Sequence, residues 1–282
     1  MKIYISMDAE GISGIYKLEQ VIPGGMDYDW ARKMMANDIN AAAQGAFNAG
    51  ASEVFVNDAH NYGNNLLITD LDERIKLCSG STRPLSMAQG VEKGYDAALL
   101  IGYHQRKGAK GVISHSFSYG TMMEIKICGK LISEFELIGH VCGHFGTPVI
   151  FVSGDDLTVK SAKESVSGLY STVTKECIGN GSAACIHPNK TAEMIKNTVE
   201  SAVRNFKADG IKPMTISGGD IYLEVRFTAE SQADEAMNAM NTKRVNDSTV
   251  RFYGDTYLEA YKSFLTGSAL AAKFRDDAVL YK

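Results

Sequence analysis

Short apolar runs alternate with helix-length periodic stretches through the first half of the chain. Residues 2–7 alternate, with Ile3, Ile5 and Met7 on one face, the period of a strand. Residues 27–49 read as a helix closed by Gly50, with Trp30, Met34, Ala41 and Phe47 as buried candidates. Three further strands are predicted at Glu53–Val56, Ala97–Ile101 and Val149–Val152, each short and apolar, as strands covered on both faces are. Between the last two, Met123–Ile127 and Lys130–Ile132 flank Cys128-Gly129 as a small hairpin, and a helix from Ser133 to His144 follows.

After residue 187 the rhythm changes. Pro188 opens a helix whose apolar positions (Ala192, Ile195, Val199, Ala202, Val203 and Phe206) keep a 3.6-residue period. Then come a strand through Ile221, Leu223, Val225 and Phe227, a helix over Ser231–Met240, a strand with Val250 and Phe252, and a helix capped by Thr256 with Glu259. The pattern predicts an α/β fold, a mostly parallel sheet covered by helices over residues 1–187, with a smaller C-terminal α+β domain over 188–282. That second domain holds no histidine or cysteine, so it is expected to shape and assemble the site rather than supply ligands.

Composition narrows the partners. The chain has 282 residues, 45% hydrophobic and 22% charged, close to the soluble globular average, so a disordered chain is excluded. A net charge of -4 leaves no basic footprint for nucleic acid or an anionic membrane. The N-terminus lacks the apolar stretch of a secretory signal, and no apolar run reaches the ~20 residues that span a bilayer. Five cysteines without CxxC spacing fit reduced thiols in a cytoplasmic protein. The expected partner is therefore a small molecule or peptide.

Chemistry collects at the strand ends. Asp8 and Glu10 follow the first strand, His60 the second and His104 the third, and open α/β sheets bind ligands outside the carboxyl ends of their strands. Glu134 reaches the same edge if the hairpin folds back over it. Carboxylates mixed with imidazoles suit zinc, manganese or cobalt, and three carboxylates neutralise most of the charge of two divalent ions. Each piece alone has a plainer explanation: a D-x-E at a strand end is common, Asn57–Asn61 is a polar turn, and His104 could be a hydrogen-bonded core histidine. Their joint position raises the metal reading. His115, in Ser114-His115-Ser116, is either a surface-loop histidine or an acid/base group beside the metals, since imidazole exchanges protons near neutrality.

Other candidates rank lower. His140 and His144 have a zinc-binding spacing, but they share with Glu136 a helix stripe about 200° from Glu134. Gly11 and Gly14 lack the spacing of a phosphate loop and follow acidic residues. Gly154-Asp155-Asp156 either supports the site or caps the next helix, and Lys175 and Asn189 are weaker candidates still.

The segments MDAEGISG (7–14), VNDAHN (56–61), IGYH (101–104), SHS (114–116), Glu134 and GDD (154–156) together resemble the D-aminopeptidase family of binuclear zinc peptidases. The resemblance implies a metallo-aminopeptidase acting on short peptides, with two zinc ions held by Asp8, Glu10, His60, His104 and Glu134. Asp8 is implied as the bridge and His115 as the catalytic residue. It also implies a ring-like homo-oligomer, a decamer in the typical member. Around Glu134 the chain reads Ser-Glu-Phe-Glu, so Glu136 is a rival carboxylate, with Glu134 preferred by alignment. The same ligands would also serve hydrolysis of a phosphoester or a non-peptide amide, with Arg106 and Lys107 the nearest cations. A non-catalytic metal-binding module is disfavoured because no cysteine lies near the ligand segments.

Overall fold

In a computed structural model that describes residues 1–216 and 218–274, two sheets organise the chain. Seven strands form the larger: β1 (Lys2–Met7), β2 (Glu53–Asp58), β3 (Ile75–Cys78), β4 (Ala97–Ile101), β7 (Val149–Asp155), β8 (Tyr170–Gly179) and β9 (Ser182–Cys185). The smaller takes β5 (Met122–Ile127), β6 (Lys130–Leu131), β10 (Ile221–Phe227), β11 (Thr242–Asn246) and β12 (Thr249–Gly254). The helices are α1 (Tyr28–Asn48), α2 (Glu134–His144), α3 (Asp156–Ser165), α4 (Pro188–Asn205), α5 (Glu230–Ala236) and α6 (Tyr257–Ala271).

The large sheet runs in the order β3-β2-β1-β4-β7-β8-β9, parallel except for β9, which returns antiparallel on β8. From β1 the chain builds outward to β2 and β3, then jumps back to β4 on the opposite side of β1. The β1/β4 junction is thus a topological switch point, where the connections leave in opposite directions and open a crevice. β1, β4 and β7 are almost wholly buried, the sequence signature of strands covered on both faces. The expected parallel sheet is found, and each predicted strand of it begins where expected; β2 and β7 run further, to Asp58 and Asp155.

The helical period of residues 27–49 is found, but its buried stripe is offset. Ala31, Met35, Ile39, Ala42 and Ala46 are buried, whereas Trp30 is 39% exposed and Met34, Ala41 and Phe47 are only partly covered. Alanines let α1 lie close to α4, while Phe47 is covered by the Arg74 guanidinium, 4.0 Å from its ring centre. Gly45 shows how tight it is: a Cβ there would stand 2.3 Å from the Lys196 carbonyl oxygen.

The second sheet is antiparallel, ordered β11-β12-β10-β5-β6. The hairpin inserted after β4 therefore pairs through β5 with β10, nearly a hundred residues later, and its chain continues directly into α2. Sheet membership crosses the expected boundary at residue 187: β5 and β6 complete the second sheet, and α4 packs on α1 and β8. The helix expected over Ser231–Met240 is shorter, ending at Ala236 before β11.

Two glycines fix the crevice. Gly11 donates its N–H to the Gly102 carbonyl at 2.7 Å, and a Cβ on Gly11 would lie 2.1 Å from the Tyr103 carbonyl oxygen. Gly102 has φ +76°, and a Cβ there would meet the Asp8 carbonyl oxygen at 2.2 Å. Gly102→Ala is expected to destabilise the protein by more than ~1 kcal/mol, because it adds a backbone collision to an unfavourable φ. Gly146→Ala, with φ +75° and open space around the added carbon, supplies the conformational penalty alone. Denaturant unfolding should show a clearly larger loss at Gly102; equal losses would mean the loops are free to separate.

Candidate metal centre

The parallel strands deliver their C-terminal residues to one edge. Asp8 and Glu10 follow β1, His60 follows β2 and His104 follows β4, and Glu134 is the first residue of α2. All five are buried, none more than 6% exposed. His60 Nδ1 stands 3.1 Å from Asp8 Oδ1 and 3.3 Å from Glu10 Oε2. His104 Nε2 stands 3.3 Å from both Asp8 Oδ2 and Glu134 Oε1. Each oxygen of Asp8 thus faces a different imidazole, and Asp8 lies between two half-sites.

His115 closes the cluster. Its ring stacks on His104 with centroids 4.1 Å apart and planes within 11°, and its Nε2 is 3.8 Å from Glu134 Oε1. Among the described residues, two sets of donor atoms lie within 4.8 Å of one another: Asp8, Glu10 and His104, and His104, His115 and Glu134. His115 therefore sits at the cluster itself, not on a surface loop.

A backbone carbonyl stands beside one nitrogen of each imidazole. His60 Nε2 lies 2.9 Å from the Val21 oxygen, His104 Nδ1 2.8 Å from Gln105 O, and His115 Nδ1 3.1 Å from Ile113 O. A carbonyl only accepts, so His104 Nδ1 and His115 Nδ1 carry their hydrogens there and leave Nε2 to face the cluster. His60, whose Nε2 also stands 2.7 Å from the Asn61 amide nitrogen, faces the cluster with Nδ1. This arrangement orients metal-binding imidazoles and raises their basicity.

The donors fit divalent cations on a direct test. Asp8 Oδ2, Glu10 Oε2 and His104 Nε2 are enclosed yet have no hydrogen-bond partner, although buried polar atoms are nearly always satisfied. Electrostatics agree. Burial alone would raise the Asp8 carboxyl, but the imidazoles of His104 and His60 hold it well below the carboxylate range. Burial likewise disfavours charge on both imidazoles, yet the carboxylate of Glu10 lifts His60, and that of Glu134 lifts His104, well above the usual histidine value. The cluster is a concentrated negative site that holds positive charge.

The structure separates the rival residues. Glu136 caps α2: its Oε2 accepts from Ser133 N and Ser133 Oγ at 2.9 and 2.5 Å, and its Oε1 from Ser165 Oγ at 2.6 Å. Glu134 instead points into the cluster, where Oε1 accepts the Phe117 N–H at 2.6 Å. His140 packs on Tyr257 and His144 on Phe145, both away from the cluster. Asp155 caps α3 through Thr158 N and also holds Val112 N, while Asp156 accepts from Cys177 N. Asn189 lies in the first turn of α4, where His187 caps it.

Lys175 has a role its sequence context did not reveal. It is fully buried in β8, and its Nζ donates to the carbonyls of Glu10, Ile12 and Ile15, the first two at 2.6 and 2.8 Å. Asp38 secures the same loop by accepting both N–H and Oγ–H of Ser13, and Ser13 Oγ also meets Thr191 Oγ1 at 2.6 Å.

A cavity of about 550 Å³ opens over the cluster. Asp8, Glu10, His60, Glu134 and His115 form part of its lining, and Leu18, Val21, Ile22, Pro23, Met87 and Phe117 supply most of the apolar remainder.

A family model described as D-aminopeptidase matches residues 1–266. The curated D-aminopeptidase of Bacillus subtilis (strain 168) is 33% identical over 274 residues, covering 97% of this chain and 98% of its own. A solved structure described as the Zn-dependent D-aminopeptidase DppA from Bacillus subtilis, a self-compartmentalizing protease, superposes with a TM-score of 0.91 at 33% identity. That alignment covers 97% of this chain and 98% of the other.

Three substitutions test the site's construction. Lys175→Met is expected to weaken zinc binding about 10- to 100-fold by releasing the Glu10 loop, read by competition with a chromophoric chelator. Unchanged affinity would reduce Lys175 to a core residue. Glu134→Ala should lower zinc stoichiometry, whereas Glu136→Ala should cost about 1 kcal/mol of stability and leave stoichiometry intact; the reverse pattern would exchange their roles.

Proposed function

The chain belongs to the D-aminopeptidase family, and we propose that it is a zinc-dependent aminopeptidase that releases N-terminal D-amino acids from short peptides at the Asp8, Glu10, His60, His104 and Glu134 cluster. The observation that carries this reading is the set of enclosed atoms without hydrogen-bond partners on Asp8, Glu10 and His104, with Asp8 and Glu10 lining a cavity of about 550 Å³.

Asp8 Oδ1, Glu10 and His60 would hold one zinc ion, and Asp8 Oδ2, His104 and Glu134 the other. One imidazole nitrogen offers a single lone pair, so Asp8, with an oxygen toward each half-site, would contribute to holding both ions. When bound, two zinc ions supply Lewis-acid chemistry, polarising a carbonyl oxygen and acidifying water. The chain's own groups do the rest. His115 keeps its Nδ1 hydrogen on the Ile113 carbonyl, so Nε2 is the free base beside Glu134. That nitrogen takes a proton from the attacking water and returns it to the leaving amine. The apolar side of the cavity, Leu18, Val21, Ile22 and Met87, receives the substrate's side chain and excludes water from the scissile bond.

The family's substrate chemistry favours a peptide over a phosphoester. The same reading extends the self-compartmentalizing description of the solved relative to this chain, as a ring-like homo-oligomer, a decamer, in the cytoplasm. Exposed Met26, Tyr62, Ile68, Ile178 and Met240 supply apolar surface for contacts between copies, and all five cysteines are unpaired. Among the described residues no helix is long and apolar enough to cross a membrane.

Two measurements decide the reading. Zinc-loaded protein should hydrolyse D-alanyl peptides and spare the L-alanyl forms, lose activity on chelation, and regain it with zinc; cleavage of p-nitrophenyl phosphate alone would overturn the assignment. His115→Ala should lower kcat by about 10²- to 10⁴-fold at unchanged zinc content. Retained turnover would remove His115 from the chemistry.

A further inference from the structure

The cavity over the metal centre shares Tyr119 with a second depression of about 430 Å³, also lined by Lys107, Gly108, Ala109, Lys110, Ser114 and Asn180. Its chemistry is the opposite of its neighbour's: two ammonium groups line it and no carboxylate does. Lys107 Nζ donates to the Tyr119 carbonyl at 3.1 Å and lies 5.7 Å from the centre of the Tyr119 ring. Among the described residues neither Lys107 nor Lys110 forms an ion pair, although Arg226 and Lys126 close by on the second sheet are paired with Glu124 and Glu224. Partial burial and the charge of Arg226 already make the Lys107 ammonium less favourable than a free one. A half-covered cation without a counter-ion, at the rim of a substrate cavity, is a place for an incoming anion.

The geometry points to a subsite for the C-terminal carboxylate of the peptide substrate, held between the ammonium groups of Lys107 and Lys110. This rests on the aminopeptidase reading above, in which the peptide's amino end lies at the metal centre. A short peptide then has one obligatory anion, at its far end. The distances match a short chain. The Tyr119 ring centre is 5.7 Å from the His115 ring and 5.7 Å from Lys107 Nζ, so at most two such steps separate the catalytic imidazole from the ammonium. An extended peptide covers about 3.3–3.6 Å per residue, so this reach admits di- and tripeptides and leaves longer chains misaligned. The subsite would make the enzyme a reader of both peptide ends, with length selection as the consequence.

The test uses the zinc-loaded full chain and three D-alanyl tripeptides: the free acid, its C-terminal amide, and an amide carrying glutamate at the third position. The free acid should show a KM about five- to tenfold lower than the simple amide at similar kcat, the effect of a solvent-accessible pair of charge contacts. Added salt should narrow that gap. The glutamate amide should behave as the simple amide; if it matches the free acid instead, the assignment to the terminal carboxylate is overturned. Lys110→Met should shrink the acid-to-amide ratio without touching the Lys107–Tyr119 contact, and Lys107→Met should shrink it further. Lys160→Met, on the exposed side of α3, should leave the ratio as it is. Equal KM values for acid and amide in the unmodified enzyme would sink the subsite while leaving the peptidase standing. No cleavage of any of the three would overturn the peptidase reading, and the subsite with it.

Discussion

Negative charge buried at the β1/β4 junction is the constraint around which this molecule is arranged. Asp8, Glu10 and Glu134 are 1–3% exposed and face one another across two imidazoles. Removing even one ionised carboxylate from water costs several kcal/mol unless the charge is balanced nearby. The lysine that reaches deepest, Lys175, feels the charge of Glu10 but makes no ion pair with it; its ammonium donates to three backbone carbonyls of the loop that carries Glu10. The imidazoles are left to hold positive charge in the metal-free chain, which is why their protonation is favoured against the pull of burial. A site whose internal balance depends on protonated histidines is one that a divalent cation replaces readily, since the cation displaces protons and satisfies the orphaned oxygens together.

Topology concentrates that charge. Neighbouring parallel strands end at the same edge, so residues separated by about fifty positions in sequence arrive side by side without any long-range coding beyond strand order. The switch from β1 to β4 adds the crevice, and Gly11 and Gly102 let the two strand-end loops interlock at backbone distance. The second sheet supplies what the first cannot: its hairpin β5–β6 turns the chain so that the first residue of α2 presents Glu134 from outside the parallel array. Glu136, two residues on, is occupied in securing that helix start, so one short segment divides its two carboxylates between capping and the cluster.

This division explains what could be read from the sequence. Asp8, Glu10, His60 and His104 were legible because strand ends follow from local apolar runs, and runs buried on both faces are unmistakable in β1 and β4. α1 was legible as a helix but not in its orientation, since Trp30 looks like core and alanine looks neutral until the close partner α4 is known. β8 escaped notice because its buried positions include the polar residues Thr172, Thr174 and Lys175, and the partners of Thr174 and Lys175 lie up to 165 residues away. No local pattern marks a buried lysine as satisfied. The pairing of β5 with β10 was hidden for the same reason, as strand partners at such separation leave no trace in periodicity.

The loop bearing His115 shows why the distant parts matter to the chemistry. Ile113 and Phe117 both hold positive φ, at 51° and 53°, a region costly for a β-branched or bulky residue and tolerated only where surroundings over-determine the backbone. Those surroundings are identifiable. The β8–β9 turn grips the loop through Asn180, whose carbonyl accepts Ile113 N at 2.7 Å and whose side chain accepts Ser114 N at 2.9 Å. Asp155, while capping α3, holds Val112 N at 2.8 Å, and Glu134 holds Phe117 N. Three residues from separate parts of the fold thus make four hydrogen bonds to residues 112–117, and the strain they impose turns the Ile113 carbonyl toward His115 Nδ1. An imidazole fixed in this way keeps one tautomer and one orientation through a catalytic cycle, so its free nitrogen meets the reacting atoms without reorganising first. The antiparallel appendage β9, peripheral to the sheet and silent in the sequence, therefore contributes directly to the placement of the proposed acid/base group.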